Sequence, residues 1–139
     1  MALLFPFEVH TPYRLFYSER VEAIVLTLAD GDVAVYANHS HFTAPVVPCL
    51  LRIKDKDGNW KTAFVAEGIL EVKSHKTVLM SDAAEWPKEI DYERALKAKK
   101  EAEEDLASGK PKLESVSAAA AFKRANMRIK ARTEELTKP

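Results

Sequence analysis

The amino-acid sequence predicts a β + α fold, an N-terminal β-sandwich of about ten short strands followed by a C-terminal antiparallel hairpin of two helices. In the first part of the chain, short alternating or β-branched segments follow one another between turn-forming residues. Pro87 ends that region, and from Asp91 the apolar period changes from two to about 3.6. A Ser-Gly-Lys-Pro stop at 108–111 then divides the helical part in two. We therefore assign residues 1–86 to a β-sandwich domain and 87–139 to a helical hairpin.

The strand region rests on several segments with clear patterns. VEAIVLTL at 21–28 is β-branched and mostly apolar, which is typical of a strand buried on both sides. LRIK at 51–54 alternates, and the DKDGN that follows supplies the Asp-Gly chemistry of a hairpin turn. Gly68 separates the next two strand segments. Short strands at this regular spacing predict a sandwich or barrel built from hairpins and meanders.

The two predicted helices each carry a narrow apolar stripe. Asp91 is the expected N-cap of the first helix, because its carboxylate can accept an amide and suits the positive end of the helix dipole. We expect the second helix to begin near Ser115 or Ser117. The expected stripes are Ala95, Ala98, Ala102 and Leu106 on the first helix, and Ala118, Phe122, Ala125, Ile129 and Leu136 on the second. Such an interface is mostly one methyl deep and stabilises by only a few kcal/mol at about 25 cal/mol per Å², so the hairpin can come apart.

The charge of the chain is zero overall but unevenly distributed. Residues 1–88 carry 9 Lys and Arg against 11 Asp and Glu, 89–109 carry 4 against 7, and 110–139 carry 8 against 3. A neutral total argues against a dedicated nucleic-acid binder or a binder of acidic membranes. No segment has the roughly 20 apolar residues of a membrane span, and the opening residues lack the basic region of a signal peptide.

Catalytic and metal-binding patterns are weak. The single cysteine, Cys49, lies in an apolar segment and is expected to be an inert buried thiol. His39 and His41 share one face of a strand, so a small metalloenzyme is one alternative, but no third ligand has suitable spacing. A Ser-His-Asp set lacks its strand-elbow-helix context, and no glycine-rich phosphate loop is present.

An acid and a base remain at the junction between the two parts. Asp91 and Arg94 begin the first helix, where free amides, a carboxylate and a guanidinium fork could meet a ribose and phosphates. Arg124 and Arg128 lie one turn apart on the second helix and could approach from across the hairpin. The alternative is that Asp91 only caps the helix and that Arg94 makes a weak surface ion pair.

Four segments, in order, give the chain a recognisable resemblance. They are FEVHTPYRLFYSERVEAIVL at 7–26, NHSHFTAPV at 38–46, FVAEGILEVKSHKTVLMSDAAE at 64–85 and EIDYERA at 89–95. The last is similar to an I-D-x-x-R-A motif at a sandwich-to-hairpin junction. In this order and spacing, over nearly its whole length, the chain resembles the epsilon subunit of F-type ATP synthases.

The resemblance implies a regulatory and coupling subunit that is not itself an enzyme. In that family the β-domain binds the gamma subunit and the membrane c-ring, and so couples rotation to proton flow. The hairpin either folds against the sandwich or extends along gamma, where its basic second helix contacts the catalytic alpha and beta subunits and inhibits ATP hydrolysis. The implied location is the cytoplasmic face of a bacterial membrane, with membrane association only through the complex.

No cofactor is required by the resemblance, but ATP binds the folded state in several bacterial members. The matching positions here are Glu85, Asp91, Arg94, Arg124 and Arg128. The implied inhibitory contacts are Lys123, Arg124, Arg128, Lys130 and Arg132.

Two positions depart from the family pattern. Glu101 stands where ATP-binding members have a further arginine, which predicts weak or absent ATP binding. Asn38 replaces a usual glycine and is the next-best residue for a left-handed turn. A different class of function is also open, a β-sandwich binding module whose helical tail forms a dimeric coiled coil.

Overall fold

The computed structural model describes residues 3–109 and 112–137, with side-chain surroundings for residues 3–109 and 116–135. The chain divides after Trp86 into two compact units, one of strands and one of helices. The strands are β1 Phe5–His10, β2 Leu15–Leu28, β3 Gly31–Tyr36, β4 Phe42–Val46, β5 Cys49–Asp55, β6 Trp60–Val65, β7 Gly68–Val72, β8 Thr77–Ser81 and β9 Ala84–Glu85. A 3₁₀ turn, Pro87–Glu89, precedes helices α1 Tyr92–Ala107 and α2 Lys112–Thr137.

The strand unit is a β-sandwich of nine described strands, close to the ten expected. Its strand order is β1-β8-β7-β4-β2-β5-β6-β9, with β3 paired to β2 and a further pairing of β1 with β2. The long strand β2 belongs to both layers, because its first half pairs with β1 and its second half with β3 and β5. The register of the β2–β5 pair shifts between Val21 and Ala23, where such a bulge bends a strand.

The core of the sandwich consists of large apolar side chains that alternate along the strands. In β1, Phe7 and Val9 are completely buried while Glu8 between them is partly exposed. This is the period-two pattern that the sequence shows. The largest fully buried side chains of the unit are Phe7, Phe64, Ile24, Leu26, Leu51, Ile53, Leu70 and Leu79.

Two backbone positions confirm that the turns need special residues. Asn38 has φ 65°, the left-handed conformation expected of an Asn in place of Gly. Gly68 begins β7, and a Cβ there would overlap the backbone of Met80 and Ser81 on the neighbouring strand. Only glycine allows β7 and β8 to approach this closely.

The helical unit is a hairpin packed through alanines. Ala95 and Ala102 are buried on α1, and Ala118, Ala125 and Ala131 are buried on α2. The Nζ atom of Lys99 lies 5.8 Å from the centroid of the Phe122 ring, across the two helices. Gly109, with φ 70°, ends the first helix as predicted. Lys110 and Pro111 of the predicted stop lie outside the described residues.

Several expectations for the helices were wrong in detail. Leu106 is 42% exposed and does not extend the α1 stripe. The buried Ala131 was not predicted, and α2 begins at Lys112 rather than near Ser115 or Ser117. Phe122, Ile129 and Ala98 are only half-buried, and the Leu136 side chain lies outside the described ones.

Candidate functional site

The junction between the two units is organised by the Ile-Asp-x-x-Arg-Ala segment. Asp91 is the N-cap of α1, as predicted, with φ −80° and ψ 101°, and its Oδ1 accepts a hydrogen bond from the Arg94 amide at 3.1 Å. Ile90 is buried, and its amide donates to the carbonyl of Pro87 at 3.2 Å. Ala95, also buried, makes the first alanine contact of the hairpin. Ile90, Asp91 and Ala95 therefore have structural roles at the start of the helical unit, as does the backbone amide of Arg94.

Capping occupies one oxygen of Asp91 but leaves the guanidinium of Arg94 at the surface. Both residues are exposed. The hydrogen bond of Arg94 to the cap uses its backbone amide, so its side chain takes no part in capping. The cap thus holds the start of α1 rigid while the planar donor fork of Arg94 faces solvent, where it can meet an oxyanion.

The alanine contacts set the register of the hairpin. The buried alanines at 95 and 102 and those at 118 and 125 are each seven residues apart, or about two helical turns. With Lys99 over the Phe122 ring, this antiparallel register places Ala95 at the level of Ala125. Arg94 and Arg124 flank these two alanines. The predicted arginines of the two helices therefore lie at the same level of the hairpin.

The basic residues of α2 fall into two groups. Lys123 and Lys130 are exposed and lie seven residues apart. Arg124, Arg128 and Arg132 are half-buried, and both Arg124 and Arg128 interact with other groups of the chain. The two lysines are therefore directly available to a partner, whereas Arg124 and Arg128 must release existing interactions first.

Glu101 and Glu85 lie away from the arginine level. Glu101 is exposed beside Ala102, two turns and about 10 Å along α1 from Arg94. Glu85 belongs to the strand unit, where it ends β9 opposite Phe64 of β6. It is half-buried and has interactions of its own. Arg94 and Arg124 thus lie at the same level of the helical unit, on different helices, while Glu85 lies in the other unit.

An aromatic cluster that the sequence did not reveal holds the end of the sandwich at the junction. The rings of Phe16 and Trp86 stack with centroids 4.6 Å apart. Arg14 places its guanidinium carbon 5.1 Å from the Phe16 ring centroid and donates through Nη2 to the carbonyl of Ala84 at 3.3 Å. The aromatic residues of YRLFY were the available signal, but their partner Trp86 is some 70 residues away in the sequence.

The metal-site alternative gains no support from the structure. His39 and His41 are both exposed and lie on the loop before β4, of which His41 is the last residue. Among residues 3–109 and 112–137, no group of three or more His, Cys, Asp or Glu side chains is placed to hold a metal ion. Cys49 is buried and has the amide of Thr27 3.5 Å from its Sγ, as expected of a structural thiol.

Comparison with protein families gives the class of protein. Residues 4–87 match the family model described as the beta-sandwich domain of the ATP synthase Delta/Epsilon chain. Residues 88–132 match the model of its long alpha-helix domain. The two matches meet after Pro87, the first residue of the 3₁₀ turn, so the chain has the domain order of the delta/epsilon class.

Curated relatives define the family within that class. The chain is 46% identical over 131 residues to the ATP synthase epsilon chain of Caldanaerobacter subterraneus subsp. tengcongensis, with 94% of each chain covered. It is also 46% identical over 126 residues to the epsilon chain of Caldicellulosiruptor bescii, with 91% of each covered. The chain belongs to the ATP synthase epsilon-chain family.

Solved structures show the same fold at low sequence identity. A chain of the Euglena gracilis mitochondrial ATP synthase, solved as OSCP/F1/c-ring, superposes with a TM-score of 0.78 at 18% identity, covering 97% of this chain and 82% of that one. A chain of the Tetrahymena thermophila mitochondrial ATP synthase central stalk and c-ring superposes with a TM-score of 0.61 at 12% identity, covering 94% and 98%. Within the described part of this chain, no helix has the length and apolar character to cross a membrane.

Proposed function

We propose that the chain is a non-catalytic central-stalk subunit that couples rotation to proton flow and regulates ATP hydrolysis. Its β-sandwich binds the gamma subunit and the c-ring, and its helices inhibit hydrolysis when they leave the folded hairpin and reach the alpha and beta subunits. The complex holds it at the cytoplasmic face of a bacterial membrane. Membership of the epsilon-chain family supports this proposal, as does the likeness to chains of central-stalk and c-ring assemblies.

The observation that carries the regulatory part is the composition of the helix interface. All five buried positions of α1 and α2 among the described side chains are alanines. At about 0.8 kcal/mol per buried methyl group, these five contribute only about 4 kcal/mol to pairing of the helices, to which the half-buried Phe122 and Ile129 add. A conformational difference of a few kcal/mol is one that a ligand or a partner surface can reverse.

The sandwich has the opposite character and suits an anchor. Phe7, Phe64 and Leu51 are completely buried, and each large side chain contributes roughly 1.5–3 kcal/mol on burial. Such a core does not rearrange at the energies that separate the helices. The sandwich can therefore stay attached to a rotating partner while the hairpin changes state.

The basic face of α2 indicates the partner of the released helix. The exposed Lys123 and Lys130 lie two turns apart, and Arg124, Arg128 and Arg132 add three guanidinium groups. Complementary charge chiefly speeds and orients association, so an acidic surface on the catalytic subunits fits this helix.

The test is ATP hydrolysis by an enzyme reassembled with a chain that lacks residues 89–139. We expect this enzyme to assemble and to hydrolyse ATP faster than one that contains the whole chain. A double variant, Lys123→Ala with Lys130→Ala, should relieve inhibition partly. The matched control is Lys97→Ala with Lys100→Ala, which removes two exposed lysines from α1. Unchanged hydrolysis after the truncation would refute inhibition by the helices.

Coupling depends on the sandwich and is tested separately. The whole chain and the chain lacking 89–139 should both co-elute with the gamma subunit on gel filtration at micromolar concentration. If neither co-elutes, the central-stalk role is wrong. If only the whole chain does, the helices rather than the sandwich provide the anchor.

ATP is the regulatory ligand that we propose for the folded hairpin, at low affinity. The exposed Arg94 and the half-buried Arg124 lie at the same level of the hairpin and supply guanidinium groups for phosphates. Asp91 belongs to the same short motif as Arg94, and Arg128 lies one helical turn from Arg124. Glu85 of the sandwich is the fifth proposed contact. Glu101 opposes binding, because its carboxylate stands about 10 Å along the helix on the path of a polyphosphate.

Calorimetric titration with ATP tests this site. Arg94→Ala should weaken ATP binding by about tenfold, because a charge-assisted hydrogen bond is lost. Lys100→Ala, an exposed control on the same helix, should not weaken it. Glu101→Arg should strengthen binding. Equal affinity in the Arg94 and Lys100 variants would remove Arg94 from the site.

A further inference from the structure

A cavity of about 250 Å³ lies at one end of the sandwich, between the β3–β4 loop and the β7–β8 turn. We propose that this cavity binds a small tetrahedral oxyanion, phosphate or a phosphate monoester group, and binds it more tightly as the pH falls. The residues that line it are Phe5, Tyr36, Asn38, His39, His41, Val72, Lys73, Ser74, Lys76 and Thr77. The proposal concerns the sandwich alone and goes beyond the coupling and regulatory roles above.

The β3–β4 loop presents one imidazole in a defined orientation. The Nδ1 atom of His39 lies 2.8 Å from the carbonyl oxygen of Ser40. Because a carbonyl only accepts, Nδ1 carries the hydrogen, and the other nitrogen of the neutral ring, Nε2, has a lone pair. The Phe42 ring, with its centroid 5.2 Å from that of His39, restricts the imidazole. Protonation therefore turns Nε2 from an acceptor, which repels an oxyanion, into a charged donor.

The β7–β8 turn supplies two ammonium groups whose charges are already balanced. Lys73 Nζ lies 2.8 Å from Glu71 Oε1, and Lys76 Nζ lies 3.6 Å from Glu8 Oε1. The hydrogen bond from His10 and the charge of Lys76 lower the pKa of Glu8, so it stays ionised over the range in which histidines titrate. These four groups sum to zero charge.

The histidines therefore determine the net charge of the site. His39 and His41 line the cavity itself, and His75 lines the adjoining groove with His41. Each proton gained by His39 or His41 adds one positive charge to this balanced set, whereas His75 lies outside the cavity. Anion binding should therefore be weak at mildly alkaline pH and strong at mildly acidic pH.

The size and the donors of the cavity indicate the class of ligand. Its volume is below the roughly 300–1,000 Å³ of ordinary small-molecule sites, which favours a group the size of a phosphate. Asn38 on the β3–β4 loop, Ser74 on the β7–β8 turn and Thr77 at the start of β8 add neutral hydrogen-bonding groups, which suits an oxyanion with several acceptor oxygens. A metal ion would need further ligands, and two ammonium groups in the lining disfavour any cation.

The experiment is titration of the full chain with inorganic sulfate, at about pH 6 and about pH 8. Sulfate keeps its charge over this range, so a change in affinity reports the protein alone. Binding is measured by calorimetry or from the histidine resonances in NMR. We expect sulfate to bind about tenfold more tightly at the lower pH and inorganic phosphate to compete with it. His39→Gln with His41→Gln should abolish the pH dependence. His75→Gln, the matched control in the adjoining groove, should change affinity by less than about twofold.

A second measurement distinguishes free phosphate from a phosphate carried on a lipid. Vesicles that contain phosphatidic acid are compared with phosphatidylcholine vesicles by flotation at about pH 6. If the protein floats only with the phosphatidic acid vesicles, the ligand is a phosphate monoester headgroup. If the protein binds sulfate and phosphate but floats with neither kind of vesicle, the ligand is the free ion. Equal sulfate affinity at both pH values, or equal affinity in the double histidine variant, overturns the proposal. So does a failure to bind sulfate, phosphate and vesicles.

Discussion

The alanine interface of the hairpin makes a direct prediction for Ala125→Leu. Ala125 is only 1% exposed and lies at the level of Ala95, so a leucine there has no room for its three additional carbon atoms. Overpacking of this kind costs about 1–3 kcal/mol. The five buried methyl groups together contribute only about 4 kcal/mol, so one substitution removes much of the helix pairing.

The expected result is a shift from the folded to the open hairpin. A change of 1–3 kcal/mol corresponds to about a 5- to 150-fold change in the equilibrium. Leucine is nearly as good a helix former as alanine, so the helices themselves should persist. Amide hydrogen exchange of α1 in the isolated chain should therefore accelerate while exchange of the sandwich strands stays the same. In the assembled enzyme, ATP hydrolysis should fall, since more hairpins are free to inhibit it.

The matched control is Ala119→Leu, the same substitution at an exposed position of the same helix. It should leave both exchange and hydrolysis close to those of the native chain. If the two leucine variants exchange at the same rate, the packing of Ala125 does not limit opening. The inference from a shallow interface to a switching hairpin would then be wrong.

Three further predictions concern stability. Asp91→Ala should destabilise the hairpin by about 1 kcal/mol, whereas Asp91→Asn should retain the cap, and equal losses in thermal melts would contradict a capping role. The buried hydroxyl of Tyr17 has no hydrogen-bond partner within the described residues, and burial, together with the carboxylates of two neighbouring residues, raises its pKa. Tyr17→Phe should therefore stabilise the sandwich by up to about 1 kcal/mol, or about 4–8 °C in Tm, and a lower Tm would contradict this reasoning. Hydrogen bonding to His10 and the charge of Lys76 hold the pKa of Glu8 below its ordinary value of 4.5. The ionised Glu8 carboxylate therefore stabilises the folded state above pH 4.5, and this contribution is lost as the pH falls through the pKa of the folded state. Glu8→Gln should accordingly lower Tm at neutral pH but not in acid.

Local signals in the sequence predicted the parts of the fold that neighbouring residues determine. Asp91 was recognisable as a cap because capping depends on a side chain and an amide three residues away. Asn38 was recognisable as a residue with left-handed backbone conformation because that conformation depends mainly on the residue type itself. The spacing of Ala95, Ala102 and Ala125 predicted an alanine interface, which the structure confirms.

Features that depend on distant segments were not predictable in this way. Hairpin signals cannot reveal the parallel pairing of β1 with β8, in which Phe7 lies opposite Thr77. Leu106 looked like a stripe residue by spacing alone, but it lies in the last turn of α1, where a stripe has drifted around the helix. Ala131 was missed because the expected stripe continued through Ile129 and Leu136, whereas the fully buried position is Ala131.

The candidate sites follow the same division. Asp91 and Arg94 belong to one short motif, so their proximity was evident from the sequence. The level shared by Arg94 and Arg124 depends on the hairpin register, which the alanine spacing determines once both helices are known. The oxyanion cavity joins His39 to Lys76 across a sequence distance that no motif spans. The sequence suggested these histidines only as a metal pair, because it gave no sign of the lysines beside them.

The two units differ in what their interiors are made of, and this difference links the fold to the proposed function. Burial of Phe7, Phe64 and Leu51 makes the sandwich a unit that opens only by unfolding. The fully buried positions of the hairpin hold single methyl groups, so its helices can separate at a fraction of that free energy while each remains helical. Phenylalanines and leucines at these five buried positions would have made a stronger pair of helices that no ligand could shift. Alanine is thus the residue that lets one chain contain both a permanent anchor and a reversible element.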